Sequence, residues 1–292
     1  MNKIVVFGGN VKGKKFLELK NEADKLGVVL DLISYKEMGF RTENSEVFIA
    51  DKGINDYDVY FFRNSKKYWE EISLILDQLD KDKIVIDPVV KRARPSDVCK
   101  AYQMLVLSQA GLPVPKSVYG SLDFLVKKIK KSFEFPMIIK GSRGDRRRQV
   151  FKLFKDKDFN ERVKELKKIE KSGENKYMLQ EYIENTEDYR VMVVGKKALG
   201  VMKRAVGDNP NLKNQFSKVE LPDKIKKLAV KVAEVCGLAI AGVDIVFREG
   251  DFDKPLFYEA NKTPNYDRFV EVTGINVACE IVKYLAGLEK DK

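Results

Sequence analysis

The first third of the chain alternates apolar runs with helical repeats, and this alternation constrains the fold more than any other feature. Apolar runs predict strands at residues 3–7, 28–33, 47–50, 59–62 and 83–87. Residues 14–26 and 68–79 repeat apolar positions at helical spacing. This order favours a parallel sheet with crossover helices, so we predict a Rossmann-like α/β domain over residues 1–95. The nearby glycines (Gly8, Gly9, Gly13) do not spell G-x-G-x-x-G, so NAD binding is not expected.

After a basic segment at residues 91–95, the pattern changes to α+β. A helix that follows Ser96, a helix at 122–131 and a charged helix at 159–172 are predicted around short strands at 117–119, 138–140 and 150–153. The last two strands flank a loop rich in glycine and arginine and should form a hairpin. We predict a small lid subdomain over residues 96–180.

The remainder, residues 181–292, is rich in strands and is predicted to be the C-terminal catalytic subdomain. The predicted strands are 177–183, 189–194, 198–204, 241–247 and 255–261, and the predicted helices are 223–235 and 276–285. The polar stretch 206–222 is predicted to be a loop.

The absence of histidine among 292 residues narrows the chemistry. It excludes a Ser-His-Asp triad, a Cys-His nucleophile and an imidazole base. Three distant cysteines (Cys99, Cys236, Cys279) form no C-x-x-C pair, so we expect reduced thiols in a cytoplasmic protein. The longest apolar stretch, residues 238–247, contains Asp244 and is too short to span a bilayer, so no membrane partner is expected.

Positive charge is in excess. The 55 Lys and Arg exceed the 44 Asp and Glu, and the net charge of +11 favours acidic partners. Residues 143–148 concentrate four arginines between two predicted strands. No aromatic residue lies among them, whereas arms that bind single-stranded nucleic acid interleave aromatic and basic residues. A nucleic-acid or ribosome-associated module is therefore an alternative and not the expected role.

Two predicted strands near the C-terminus carry oxygen-bearing side chains. Asp244 lies within an otherwise apolar strand, where an unpaired carboxylate is costly. Glu259 and Asn261 are two residues apart, so they share one face of the next strand, while Tyr258 should point to the other face. If the strands are neighbours, this set suits Mg²⁺ or Mn²⁺. The alternative is that Asp244 pairs with a lysine and Glu259 is a charge at the edge of the strand.

Other polar residues stand at strand ends, where they could contact a nucleotide. Lys140 precedes a glycine turn and could hold a phosphate as a point charge. Glu181 and Tyr182 end a strand whose backbone could pair with adenine. Asp188 and Arg190 share a strand face, and Arg204 adds a cation near the candidate metal face.

The order of these features resembles the ATP-grasp ligases. The features are a lysine-ended strand with a glycine loop, then Q-E-Y-I, D-x-R-V-x-V-V-G, K-R-A, A-G-V-D-I and E-A-N-x-x-P. The closing residues, 261–264 followed by T-G-I-N at 273–276, are most similar to the RimK-type branch, which acts on ribosomal protein, peptides or amino acids. The resemblance covers residues 96–288.

The resemblance implies a fold, cofactors and residue roles. It implies an ATP-grasp unit after the N-terminal domain, with ATP and Mg²⁺ (or Mn²⁺) as cofactors. By position, Lys100 and Lys140 would contact phosphates, Glu181 and Tyr182 adenine, and Asp188 the ribose. The implied metal ligands are Asp244, Glu259 and Asn261. The implied substrate-side residues are Arg204 and Asn214.

Two segments depart from the family pattern. Residues 145–148 (Asp-Arg-Arg-Arg) fill a stretch where the family carries further glycines in its phosphate loop. Residues 217–219 (Ser-Lys-Val) stand where the family carries a glycine pair after the asparagine. Both departures bear on activity, so a protein that binds ATP without turning it over is a second alternative.

The resemblance implies a carboxylate-amine ligase. A carboxylate attacks the γ-phosphate of ATP, and an amine then attacks the acyl phosphate to form an amide. This chemistry depends on positioning and charge neutralisation and needs no histidine. The expected partners are ATP, a carboxylate and an amine, with an acidic peptide or protein among the candidate acceptors. Substrate specificity is assigned to loops at 209–219 and 265–271, while substrate identity and oligomeric state are left open.

Overall fold

The computed structural model describes residues 2–41, 46–50, 52–92, 100–141, 150–169, 176–185, 187–205 and 215–289. Within these ranges, three larger sheets and one small sheet carry the fold. No helix in the described ranges combines the length and apolar character needed to cross a membrane.

A four-stranded sheet in the order β2-β1-β6-β7 forms the centre of the N-terminal part. The elements are β1 (Ile4–Gly8), α1 (Lys14–Lys25), β2 (Leu30–Ser34), β3 (Met38–Arg41), β4 (Glu46–Ile49), β5 (Lys52–Gly53), β6 (Val59–Phe62), α2 (Trp69–Gln78) and β7 (Ile84–Ile86). All pairings in the larger sheet are parallel, as the alternation predicts. β1 and β6 are buried at every position, which explains their continuous apolar sequences.

One predicted strand of this part belongs elsewhere. The run at 47–50 was expected to extend the parallel sheet, but β4 pairs antiparallel with β3 and β5 in a separate three-stranded sheet. The short connections between these strands explain the pairing, because a parallel neighbour requires a crossover of a dozen or more residues.

The middle of the chain folds around a second four-stranded sheet, in the order β10-β9-β11-β8. Its elements are α3 (Lys100–Gln109), β8 (Ser117–Gly120), α4 (Leu122–Ser132), β9 (Met137–Gly141), β10 (Val150–Leu153), α5 (Asp156–Ile169) and β11 (Tyr177–Glu181). The predicted hairpin is confirmed, with Val150 opposite Lys140. Leu125, Phe159 and Leu166 pack with Ile139 and Leu179 in a hydrophobic cluster of this unit's own. The expected helix start at Ser96 lies outside the described residues.

The C-terminal part is a five-stranded antiparallel sheet, called here the third sheet, in the order β14-β13-β12-β15-β16. Its elements are β12 (Glu187–Val194), β13 (Lys197–Ala205), β14 (Phe216–Val219), α6 (Asp223–Val235), β15 (Ile240–Phe247), β16 (Pro255–Asn261), α7 (Asp267–Thr273) and α8 (Val277–Ala286).

Two of these elements correct the sequence prediction. β14 lies inside the stretch 206–222 that was predicted to be a loop, and α7 lies where a substrate loop was expected. β14 exists because it pairs with β13 along the sheet edge. α7 is stabilised by Phe269, which is fully buried, and is followed by Gly274, whose φ of +72° suits glycine.

The third sheet and the N-terminal sheet share their hydrophobic core. Phe62 and Ile75 of the N-terminal part belong to the same buried cluster as Val191, Val243 and Ile225. A second cluster joins Val6 of β1 to Met192 of β12 and Val282 of α8. The N-terminal part is therefore packed against the sheet that carries most of the predicted site residues.

Candidate active site

One face of the third sheet carries a row of charged side chains. The cross-strand register places Arg190 opposite both Met202 and Asp244, and Asp244 opposite Glu259. Directly opposed residues share a sheet face, so these side chains form a line across four strands. Asn261 joins the line, because its Nδ2 lies 3.2 Å from Asp244 Oδ2. The structure therefore brings together the three residues predicted as metal ligands.

A β-bulge changes the direction of one side chain in this row. The register between β15 and β16 shifts after Asp244, so that Ile245 faces Phe257 and Tyr258 is the additional residue. Tyr258 was predicted to point away from the site, but its hydroxyl donates to Asp188 Oδ2 at 3.2 Å. The prediction is wrong because strict alternation fails at a bulge. Tyr258 is thus a site residue that the sequence pattern missed.

One bidentate ion pair lies within the row and a second lies beside it. Arg190 Nε and Nη2 donate to the two oxygens of Asp244 at 2.7 and 2.8 Å. Arg204 Nε donates to Asp188 Oδ1 at 2.8 Å, and its Nη2 bonds the other oxygen. Burial acts to lower the pKa of Arg190, but the hydrogen bonds and charge of Asp244 outweigh it and raise the pKa above its ordinary value. Asp188 and Arg204, to which separate roles were assigned, are committed to each other in this structure.

Two lysines lie near Glu259, at the β16 end of the row. Lys100 Nζ lies 3.4 Å from Glu259 Oε1. Lys140 is buried and donates to Gln180 Oε1 at 2.8 Å. Burial, together with the charge of Lys100, lowers the pKa of Lys140 to about 8, while Glu259 opposes this shift. A phosphate group beside Lys140 would favour its ammonium form and offset the cost of burial.

Glu181 ends β11 and Tyr182 follows it, where the four-stranded sheet β10-β9-β11-β8 meets the third sheet. Glu181 Oε1 accepts from the Lys116 N–H at 2.8 Å, and both carboxylate oxygens lie 3.0 Å from Arg248 Nη2. The Tyr182 hydroxyl accepts from Lys152 Nζ at 3.2 Å. Arg248 follows β15, so its pair with Glu181 ties the two sheets together. The sequence pattern contained no signal for Arg248.

A cleft of about 370 Å³ opens beside the row, at the end opposite Glu259. Its lining comes from β12, β13, β14 and the α7 region and consists of Asp188, Arg190, Met202, Arg204, Phe216, Asn265, Asp267, Arg268 and Glu271. Of these, Phe216, Asp267, Arg268 and Glu271 were missed as individual site residues, because β14 and α7 are too short for periodicity to reveal them. Asn214 and the arginine cluster at 143–148 lie outside the described residues.

The chemistry of the row suits a hard cation. Asp244, Glu259 and Asn261 supply carboxylate and amide oxygens, the ligands that Mg²⁺ accepts together with waters and phosphate oxygens. No group of three or more His, Cys, Asp or Glu side chains in the described ranges is placed to hold a metal. A cation at this row would therefore rely on two carboxylates, an amide and oxygens from the nucleotide.

Comparisons with known proteins identify the family to which the chain is similar. The model of the RimK-like ATP-grasp domain matches residues 96–285. Human beta-citrylglutamate synthase B is 30% identical over 202 residues, which are 65% of this chain and 50% of that protein. The coenzyme gamma-F420-2:alpha-L-glutamate ligase of Methanocaldococcus jannaschii is 27% identical over 307 residues, covering 99% of this chain and 100% of that protein. The match thus spans about half the length of the citrylglutamate synthase.

Solved structures show the same fold. The ATP-grasp ligase PsnB in complex with its minimal precursor superposes with a TM-score of 0.75 at 18% identity, covering 98% of both chains. The macrocyclase MdnC of Microcystis aeruginosa, bound to its precursor peptide MdnA, gives a TM-score of 0.72 at 13% identity, covering 98% of this chain and 100% of that one. The expected ATP-grasp fold is thereby confirmed.

Proposed function

This chain belongs to the RimK-like ATP-grasp family, and from that premise we propose that it is an ATP- and Mg²⁺-dependent carboxylate-amine ligase. The carboxylate oxygen attacks the γ-phosphorus of ATP, which releases ADP and leaves an acyl phosphate. The nitrogen of the amine then attacks the acyl carbon, phosphate leaves with the bonding electrons, and the nitrogen loses a proton as the amide forms. No histidine is needed, since positioning and charge neutralisation lower both barriers.

The observation that carries this proposal is the shared sheet face on which the row meets two lysines. Glu259 lies opposite Asp244 and 3.4 Å from Lys100, and its charge also acts on the buried Lys140. Two carboxylates and two ammonium groups in one place suit a triphosphate that carries a divalent cation. When bound, Mg²⁺ would neutralise phosphate charge, with Asp244, Glu259 and Asn261 as its protein ligands.

The remaining roles follow from position along the same face. Lys100 and Lys140 hold phosphate oxygens, and Glu181 with Tyr182 borders the adenine at the end of β11. Asp188 borders the ribose. Arg204 and Asn214 belong to the substrate side, where the cleft receives the carboxylate and the amine.

The wider organisation is part of the proposal. We propose a Rossmann-like N-terminal domain at residues 1–95, a lid at 96–180 and a catalytic subdomain at 181–292. We also propose that the protein acts in the cytoplasm, where ATP is available. Peptide acceptors are supported by PsnB and MdnC, each of which is bound to a precursor peptide. Amino-acid acceptors are supported by the relatives that are named as glutamate ligases.

The test removes one metal ligand with little effect on folding. Glu259 is a quarter exposed and forms an ion pair with Lys100, and Glu259→Gln removes its charge while keeping the shape of the side chain. We expect ADP release and amide formation to fall at least about 100-fold, as when one stabilising group is removed from an active site. Glu234→Gln, at an exposed glutamate on α6 that pairs with Lys231, is the matched control.

The assay combines the full chain, ATP and Mg²⁺ with a panel of carboxylates and amines that includes L-glutamate, and it records ADP together with product mass. Unchanged ADP release in Glu259→Gln would remove the metal assignment. If wild-type protein binds ATP but releases no ADP with any pair from the panel, the non-catalytic alternative replaces the ligase.

A further inference from the structure

Lys140 differs from the other cationic side chains of the site in its partner. Four of those side chains form ion pairs with carboxylates, namely Arg190 with Asp244, Arg204 with Asp188, Lys100 with Glu259 and Arg248 with Glu181. Within the described part of the chain, Lys140 has no carboxylate at ion-pair distance, and its Nζ donates to the neutral amide of Gln180. Lys140 is only 8% exposed, so its charge is buried beside a neutral partner.

Three strands of the sheet β10-β9-β11-β8 build the contact that holds Lys140. Gln180 of β11 lies directly opposite Ser117 of β8. Lys140 of β9 lies opposite Met178, two residues before Gln180, so the three polar side chains share one face of the sheet. Lys140 Nζ donates to Gln180 Oε1 at 2.8 Å, and Gln180 Nε2 donates to Ser117 Oγ at 2.9 Å. The Ser117 hydroxyl donates in turn to the Pro115 carbonyl at 2.8 Å.

These hydrogen bonds can run in only one direction. The Pro115 carbonyl can only accept, so it takes the single proton of the Ser117 hydroxyl. The Ser117 oxygen then accepts from Gln180, which turns the amide N–H toward Ser117 and leaves the amide oxygen for Lys140. Gln180 is only 4% exposed, so water does not compete for these bonds. The fold therefore fixes the orientation of the amide before any ligand binds.

The Lys140 ammonium retains capacity for a ligand. An ammonium group has three N–H donors, and Gln180 takes one of them. The other two have no acceptor among the residues that the structure describes. The charged groups that act on Lys140 are Lys100 of α3 and Glu259 of β16, which both lie at the same end of the row. Two free donors and an unpaired charge suit the oxygens of a phosphate group.

The neutral charge of Gln180 determines how strongly Lys140 can bind such a group. A glutamate of the same shape would form an ion pair with Lys140 and compete with phosphate for the same ammonium. Its negative charge would also repel the phosphate. An amide holds the lysine in place without neutralising it, so the full charge remains for the ligand.

We propose that Gln180 is a positioning residue that, supported by Ser117, holds the Lys140 ammonium toward the nucleotide phosphates and leaves its charge unpaired. Gln180 acts through Lys140 and does not itself contact the nucleotide. This inference rests on the proposed function, because it concerns how the affinity for phosphate is set in that site.

The test compares two variants of Gln180. Gln180→Glu keeps the acceptor and adds a charge, whereas Gln180→Met removes the acceptor and stays neutral. Gln78→Glu is the matched control, because it adds the same charge at an exposed position at the end of α2. The probes are ADP and adenosine, each with Mg²⁺, and equilibrium dialysis measures their binding to the full chain from about pH 7 to pH 9.5.

The two probes separate an effect on phosphate from an effect on the rest of the nucleotide. At neutral pH, we expect Gln180→Glu to weaken ADP binding at least about tenfold, because the new carboxylate pairs with Lys140 and repels phosphate. Gln180→Met should weaken ADP binding about threefold to tenfold, as for one lost hydrogen bond. Adenosine binding should be the same in both variants and the wild type, and Gln78→Glu should bind both probes as the wild type does.

The pH profile separates positioning from a structural role. Wild-type affinity for ADP should fall as the pH rises above about 8, because Lys140, whose pKa is about 8 without ligand, then loses its proton. The fall should begin at higher pH in Gln180→Glu, since a carboxylate favours the ammonium form. It should begin at lower pH in Gln180→Met, since the ammonium has lost an acceptor.

Wild-type affinity for ADP in Gln180→Glu at neutral pH would overturn the inference. An equal loss of ADP and adenosine binding in both variants, or a fall that begins at the wild-type pH in both, would also overturn it, since a structural role has these effects. ADP release from ATP is recorded in parallel. If the wild type and variants show the expected ADP binding but the wild type does not turn ATP over, the proposed function is contradicted and the Gln180 assignment stands.

Discussion

Charged side chains are buried on the site face of the third sheet and in the seam between that sheet and the N-terminal sheet. The two regions differ in whether these buried charges have hydrogen-bonding partners. On the site face, Arg190 and Asp244 satisfy each other through two hydrogen bonds. The seam consists of Arg63 after β6, Asp87 after β7 and Tyr266 before α7, which are 3%, 0% and 0% exposed. Arg63 Nε and Nη1, Asp87 Oδ2 and the Tyr266 hydroxyl find no hydrogen-bond partner among the described residues.

The two regions differ accordingly in their electrostatics. Pairing raises the pKa of Arg190 despite its burial, whereas burial lowers the pKa of Arg63. Burial also raises the pKa of Asp87 to about 6, although Lys262 and two backbone N–H groups act against it. Those N–H groups belong to Ala239 and Ile240, which lead into β15. A bidentate partner thus makes a buried charge a fixed part of the site, while an incompletely paired one lowers the free energy of unfolding.

The largest effect is expected when a site pair is broken. Arg190→Met leaves Asp244 buried without its counter-charge, so the free energy of unfolding should fall by about 3–5 kcal/mol. Urea unfolding of the full chain measures this free energy. Arg268→Met breaks the exposed ion pair between Arg268 and Glu271 on α7 and should change the unfolding free energy by about 1 kcal/mol or less. Equal losses in the two variants would show that burial does not separate these pairs.

The next effect concerns the pH dependence of the seam. The pKa of Asp87 is about 6 in the folded protein, whereas the ordinary value for an aspartate in the unfolded chain is 3.8. Its favourable contribution to stability is therefore complete below pH 3.8 and is lost as the pH rises to 6. The loss amounts to about 3 kcal/mol. Asp87→Asn keeps an oxygen for the Ala239 and Ile240 N–H groups and should abolish this component.

The measurement is the difference between wild-type and variant unfolding free energies from pH 4 to pH 7. Asp253→Asn, at an 88% exposed aspartate, is the control and should follow the wild type throughout. If the wild-type and variant unfolding free energies differ by the same amount at every pH in this range, the prediction is wrong. The Asp87 carboxylate would then be paired in solution with a group that the described residues do not supply.

The smallest effect is a gain. Arg63→Met removes a buried guanidinium with two nitrogens that have no partner among the described residues. The guanidinium carbon lies 5.9 and 5.4 Å from the ring centroids of Phe16 and Phe61, so methionine keeps an apolar chain next to apolar neighbours. At pH 4, where Asp87 is protonated and needs no counter-charge, we expect the unfolding free energy to rise by about 1–2 kcal/mol, in contrast to Arg190→Met. The pKa of Asp87 should rise further, because Arg63 favours its ionised form. A loss as large as that of Arg190→Met would place a partner at Arg63, such as bound water or an anion.

Much of the candidate site could be predicted from order and alternation. The hairpin that carries Lys140 and the shared face of Glu259 and Asn261 both follow from period-two patterns next to turns. Tyr258 escaped prediction because a bulge is a property of two paired strands, and one strand's sequence does not reveal it. The metal role of Asp244 and the nucleotide roles of the lysines stay predictions until the variants are measured.

The sequence by itself determined the family, the ATP-grasp fold and the set of residue types that the chemistry needs, because these depend on local patterns in a fixed order. Only the tertiary structure decided which charges are paired. Asp188 with Arg204, and Glu181 with Arg248, lie 16 and 67 positions apart and meet through sheet register and the contact between two sheets. That packing decides how each charge is accommodated. Charges are buried with a partner on the site face, buried without a complete set of partners in the seam, and exposed to water in the Arg268–Glu271 pair on α7.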